Sequence, residues 1–159
     1  MNAKILSADA LAAKAKTFRA EGKRLVLTNG CFDLLHVGHV RYLQGARALG
    51  DALAVALNSD ASVRALKGEG RPLNPENDRA EILAALECVD CVAIFSEIRA
   101  TQFLETVQPA IYVKGGDYKL ETLHPEERAV LEKIGAEIKI LPLQPGYSTS
   151  RLIARLQEQ

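Results

Sequence analysis

Residues 52–57, Ala-Leu-Ala-Val-Ala-Leu, put an apolar side chain on both faces of any strand they form. A strand of that kind must be covered on both sides, which is the condition met in a parallel sheet with helices above and below. Four further short runs share this character: Arg24–Thr28, Val89–Phe95, Ala110–Val113 and Glu137–Leu141. Between them lie segments of helical period, about Val40–Leu49, Asn74–Leu86, Ala100–Val107 and Pro125–Ile134, with a shorter one at Asp60–Leu66. Strand alternating with helix predicts an α/β fold with a doubly wound parallel sheet of about five strands and right-handed crossovers. Sites in such sheets lie beyond the carboxyl ends of the strands. The turn after Thr28, Lys114–Asp117 and Pro145–Ser150 are therefore expected to converge.

A chain of 159 residues with 48% hydrophobic content suits one compact domain, 1–159. Ser7–Ala20 reads as a helix capped by Ser7. It is expected to pack outside the nucleotide fold as an embellishment, an N-terminal extension at about 1–22. Twenty basic residues balance twenty acidic ones, so no global field draws nucleic acid or an anionic membrane. Cys88-Val89-Asp90-Cys91 has metal-ligand spacing but no second ligand pair, so packing at a strand start is the expected role. With no secretory apolar core and no run near the roughly 18 residues that span a bilayer, the chain is expected to be cytoplasmic.

The most specific stretch is Thr28-Asn29-Gly30-Cys31-Phe32-Asp33-Leu34-Leu35-His36-Val37-Gly38-His39. Gly30 breaks a strand, a helix follows, and two imidazoles stand three residues apart at the handover. Helix-terminal N–H groups and the helix dipole favour an anion there, and Gly38 has no Cβ to hold a phosphate off the backbone. Either histidine alone reads as structural. The pair, behind G-x-F-D and an apolar strand, reads as an anion site.

Three other segments have two readings each. Lys67-Gly68-Glu69-Gly70-Arg71-Pro72 is a glycine-bearing loop whose cations either face a phosphate or are solvated. Arg79 falls in a predicted first helical turn, where its charge opposes the dipole, so it has an anionic partner or forms a surface ion pair. Ser148-Thr149-Ser150 opens a helix at Arg151–Leu156 and either caps it or offers hydroxyls to a polyphosphate.

The stretch at 28–39, with Tyr147-Ser148-Thr149-Ser150, resembles the cytidylyltransferase-like family of nucleotidyltransferases. Within that family Thr28–Asp33, Leu57-Asn58-Ser59-Asp60, Lys67-Gly68 with Arg71-Pro72, Asn77-Asp78-Arg79, Val113-Lys114-Gly115-Gly116-Asp117-Tyr118 and Gly146-Tyr147-Ser148-Thr149-Ser150 are most similar to the heptose 1-phosphate adenylyltransferases. The resemblance spans roughly residues 24 to 157. It implies a Rossmann-like, HIGH-type nucleotidyltransferase fold and transfer of AMP from ATP to a sugar 1-phosphate, D-glycero-β-D-manno-heptose 1-phosphate. The products are ADP-heptose, used for lipopolysaccharide cores, and pyrophosphate. The alternative is a cytidylyltransferase acting on a polyol phosphate such as glycerol 3-phosphate. A kinase domain sometimes fused to this activity is not seen in the sequence, so a separate kinase is expected to supply the sugar phosphate.

The same resemblance assigns residues. His36 and His39 go to the ATP phosphates and Lys67 to the sugar phosphate or the transferring group. Asn29, Gly30, Cys31, Phe32, Gly38, Arg79, Lys114, Gly115, Asp117, Ser148, Thr149 and Ser150 are expected around the nucleotide. Asn58 and Asp33 are expected on the acceptor side, although Asp33 also suits the orientation of backbone N–H groups in its turn. Mg²⁺ is expected to ride on the phosphates, with no protein ligand named, and a homo-oligomer is expected.

Overall fold

In the computed structural model, which describes residues 2–116, 119–142 and 144–158, five strands make one parallel sheet. They are β1 (Leu25–Gly30), β2 (Ala52–Asn58), β3 (Cys91–Phe95), β4 (Ile111–Gly115) and β5 (Glu137–Leu141), in the order β3-β2-β1-β4-β5. β1 is central and pairs with β2 from Leu25↔Ala52 to Gly30↔Leu57, and with β4 from Val26↔Ile111 to Thr28↔Val113. The chain winds outward from β1 to β3, then returns to the other side of β1 for β4. That reversal leaves a crevice at the carboxyl ends of β1 and β4, the topological switch point.

The run at 52–57 behaves as its sequence demands. Every residue of β2 is buried. Ala52, Ala54 and Ala56 face α1 (Ala8–Ala20), α5 (Thr101–Val107) and α6 (Pro125–Ile134). Leu53, Val55 and Leu57 face α2 (Val37–Arg47) and α4 (Glu76–Ala85). Burying each of those three larger side chains is worth roughly 1.5–3 kcal/mol. The cysteines carry no disulfide, and Cys91 packs in the core at the start of β3.

The N-terminal helix differs from expectation. Leu11 and Ala15 of α1 are 0% and 1% exposed and join the core with Leu25, Leu27 and Phe103. It is a covering layer of the sheet, not an embellishment outside it. Just before it, Leu6 N–H donates to Val92 O and Val92 N–H to Lys4 O, both at 2.8 Å, which pairs part of the β3 edge. Among the described residues no helix is long and apolar enough to cross a membrane.

Two boundaries near the crevice also move, and one short element is added. α2 starts at Val37, three residues before the apolar pattern begins. α3 (Asp60–Lys67) takes in Lys67, and a short 3₁₀ turn at Leu120–Thr122 precedes α6.

Candidate active site

The crevice is built from the seam between β1 and β4 upward. Tyr42, from α2, donates its hydroxyl to Val113 O at 3.2 Å, so the Thr28 hydroxyl, 2.8 Å away, donates to Tyr42. This chain ties α2 to both central strands, and burial pushes the Tyr42 phenol up to about 12. Beyond Thr28, a Cβ on Gly30 would lie 2.9 Å from the Phe32 ring, so the absent side chain lets that ring fold back beneath the turn. Phe32 itself adopts φ 44°, a left-handed conformation held by the burial of its ring in the core.

The turn delivers both histidines to the start of α2. His36 is extended (φ −135°) and serves as N-cap, while His39 sits in the first helical turn. His39 Nδ1 accepts the His36 backbone N–H at 3.3 Å, so the imidazole takes a capping role usually filled by a carboxylate or amide. Apolar periodicity does not register such a cap, which is why the helix begins earlier than expected. With Nδ1 accepting, the ring proton of neutral His39 sits on Nε2 as a donor. The two rings stack at 3.9 Å. Burial first, then the His36 and Lys67 charges, pull His39 down to about 4, and burial lowers His36 as well. At about 4, the His39 imidazole is neutral at pH 7. The buried His36 Nδ1 has no partner.

The crevice is an open cleft of about 610 Å³. It is lined by Asn29 and Gly30 from the end of β1, Cys31, Phe32 and Asp33 from the turn, His39 from α2 and Asn58 from β2, with Lys67, Lys114, Gly115 and Thr149 around them. His36 lies behind His39, off the lining, with its other face toward Tyr147 at 6.1 Å. A Cβ on Gly38 would meet the His36 ring and Tyr147 Cβ at 2.9 Å. That glycine therefore makes room for the imidazole, not for a phosphate as expected.

Two assignments need correction. Arg79 was expected at the nucleotide phosphates, yet it is 1% exposed and off the cleft. Its guanidinium donates to Asn74 O at 2.9 Å, Cys31 O at 2.6 Å, Asn58 O at 2.9 Å and Asp60 Oδ1 at 2.7 Å. Four of its five N–H donors are thereby spent on protein atoms. Asp33 was favoured as an acceptor-side contact, yet its buried carboxylate accepts Leu73 N–H at 2.8 Å and Asn74 N–H at 3.0 Å and pairs with Arg71 Nε at 3.2 Å. It orients backbone N–H groups, but those of a loop 40 residues on. The loop thought to carry Lys67 is thus pinned over residues 71–74, and Lys67 closes α3, where a cation suits the dipole.

At the far rim, Ser148 caps α7 (Thr149–Gln157) by accepting Arg151 N–H at 3.1 Å, and Ser148 and Ser150 are off the lining. Thr149 alone of the three hydroxyls reaches the cleft, donating to Leu34 O at 3.0 Å. Asp117 lies outside the described residues. Asn58 is buried, its Nδ2 donating to Ser62 Oγ at 2.8 Å. Burial lowers Lys114, against the pull of Glu127 and Cys31.

Sequence reasoning missed Arg99, His124 and Glu127, which also line the cleft. They belong to no motif. The usable signal was position, since Arg99 follows β3 and His124 and Glu127 follow β4, at the sheet's carboxyl side. Glu127 is 7% exposed and accepts the Ala100 N–H at the start of α5 at 3.1 Å.

Comparison with known proteins agrees with this fold. The profile described as cytidylyltransferase-like matches residues 27–155. The bifunctional protein HldE of Geotalea uraniireducens (strain Rf4) is 54% identical over 156 residues, covering 98% of this chain and 31% of its own length. Its namesake from Geobacter sulfurreducens is 49% identical over 155 residues, with the same coverage. The chain thus spans 31% of the length of these relatives. A crystal structure of the lipopolysaccharide core biosynthesis protein from Thermoplasma volcanium GSS1 superposes with a TM-score of 0.63 at 30% identity, covering 77% of this chain and 98% of that one.

Proposed function

The chain belongs to the cytidylyltransferase-like family of nucleotidyltransferases, and from that premise we propose that it transfers AMP from ATP to a heptose 1-phosphate. The observation that carries nucleotidyl transfer is the neutral His39, its Nε2–H donor opening from the first turn of α2 onto a cation-lined cleft at the sheet's switch point. The heptose reading draws on the motif resemblance and on the structural neighbour, a lipopolysaccharide core biosynthesis protein.

In the proposed reaction a phosphate oxygen of the sugar 1-phosphate attacks the α-phosphorus of ATP. A P–O bond to the sugar phosphate forms, the bond to the β-phosphate oxygen breaks, and pyrophosphate leaves with that electron pair. The attacking phosphate is already ionised near pH 7, so no protein nucleophile or strong base is required. What the chain must do is hold two mutually repelling anions in line and offer donors to the oxygens that gain charge. His39 Nε2–H and the first-turn N–H groups of α2 suit the nucleotide's phosphates. Lys67, exposed at the end of α3, suits the acceptor phosphate.

The donor set does not fit a protein-held metal. Among the described residues no three His, Cys, Asp or Glu side chains are grouped to hold one, and the cleft carboxylates Asp33 and Glu127 already accept backbone N–H groups. Mg²⁺ carried on the ATP phosphates would neutralise part of their charge.

The test is pyrophosphate release for each nucleoside triphosphate, with Mg²⁺, against a panel of sugar and polyol phosphates. ATP with D-glycero-β-D-manno-heptose 1-phosphate should give the highest kcat/KM, and release should vanish on chelation. A preference for CTP with glycerol 3-phosphate would overturn the adenylyl assignment.

A further inference from the structure

Tyr112 of β4 is 0% exposed and packed on the face covered by α1, α5 and α6. Its hydroxyl nevertheless crosses to the neighbouring strand and donates to Asn29 Oδ1 at 2.6 Å. The register explains the reach. Tyr112 stands opposite Leu27, so Asn29, two residues on and on the same face, lies above the phenol at the floor of the cleft. With its carbonyl oxygen occupied, the Asn29 amide has its NH₂ group left for other partners. The same ring also lies under Lys114, whose ammonium is 5.9 Å from the ring centroid and which lines the cleft too.

We propose that Tyr112 is a positioning residue, which fixes the Asn29 amide with its N–H donors toward the cleft and seats Lys114 beside it, so that both meet a nucleotide's polyphosphate. The inference rests on the reading above only in taking a nucleoside triphosphate as the occupant. An unrestrained asparagine can present its oxygen or its nitrogen with similar ease, and the oxygen would repel a phosphate. The phenol removes that choice before the nucleotide arrives, which is preorganisation in the ordinary sense.

ATP affinity should be measured by calorimetry, with Mg²⁺, for wild type, Tyr112→Phe, Asn29→Ala, the double variant and Asn29→Asp. The side-chain ¹⁵N–H₂ resonances of Asn29 should be followed in parallel. Tyr112→Phe should weaken ATP about tenfold, the factor that one hydrogen bond supplies. It should raise KM for ATP and leave KM for the sugar phosphate unchanged, a split that general loosening would not produce. The double variant should bind no more weakly than Asn29→Ala, because Tyr112 acts through Asn29. Asn29→Asp keeps an acceptor for the phenol but replaces the donors with charge, so it should weaken ATP a hundredfold or more even if Tyr112→Phe does not fold. Wild-type Asn29 resonances should shift on adding ATP and should already be displaced in Tyr112→Phe without it. Losses that multiply in the double variant, or Asn29 resonances indifferent to ATP, would overturn the proposal. ATP-dependent shifts with no pyrophosphate release from any acceptor would support it while removing the transfer reaction.

Discussion

Arg79→Met gives the sharpest test of how the cleft is held together. Methionine matches much of the length of arginine and keeps the site filled, so the change isolates the loss of the guanidinium's donors. Four bonds of 2.6 to 2.9 Å disappear: those to the carbonyls of Cys31, Asn58 and Asn74, and that to the Asp60 carboxylate. At about 1.5–3 kcal/mol for each charge-assisted bond, the simple sum is roughly 6–12 kcal/mol. That sum is too large, because the Asp60 side chain is 30% exposed and water can replace the guanidinium there. The Asn58 carbonyl belongs to a buried residue and has no such recourse. Removing one partner from a buried charged network costs about 3–5 kcal/mol, and that range is the expected loss.

Against a total stability of roughly 5–15 kcal/mol, such a loss leaves the domain folded at low temperature but much less stable. At about 2–4 °C per kcal/mol for a chain of this size, Tm should fall by roughly 6–20 °C. Urea titration followed by circular dichroism and a calorimetric melt would both read it. A loss below about 1 kcal/mol would refute the clamp. Arg79→Lys separates the two roles this residue can have. A lysine variant that melts like wild type but no longer binds ATP would mean that the guanidinium addresses the nucleotide after all.

The sheet was legible because its information is local. Ala52–Leu57 announces a strand covered on both faces, and the turn from Gly30 to His39 announces where it points. What the sequence conceals is which distant groups an element meets. The pattern of α1 shows a helix but not that Leu11 and Ala15 close the sheet face over Leu25 and Leu27. Arg79 reads as a cation at odds with its helix, and the reading is sound as far as it goes. Its true partners lie 48, 21, 19 and 5 residues away and converge only once β1, β2 and the loop before α4 are assembled. Asp33 misleads for the same reason. A carboxylate beside a phosphate turn suggests substrate, and only the fold reveals the Leu73 and Asn74 amides that it holds.

Two further predictions concern groups left facing the cleft. Lys67 is exposed and, among the described residues, in no ion pair, so Lys67→Ala should leave stability within about 0.5 kcal/mol and raise KM for the sugar phosphate about tenfold. Unchanged steady-state constants would mean a solvated lysine with no substrate role. The pH dependence of stability tests His39, whose value falls from the ordinary 6.5 to about 4, chiefly because burial penalises the charged ring. In the unfolded chain it titrates near 6.5. Between that pH and about 4 the unfolded state therefore binds a proton that the folded state refuses, and stability must fall as pH falls through this window. Above 6.5 both states carry a neutral ring and His39 contributes no slope. His39→Gln removes the titration while keeping an amide that can accept the His36 N–H. Its Tm should decline less steeply than that of wild type from pH 6.5 to 4, and the two curves should run parallel above. Equal slopes across the acid window would mean that the folded imidazole takes up its proton freely. Its Nε2–H would then not be the fixed neutral donor on which the proposed chemistry depends.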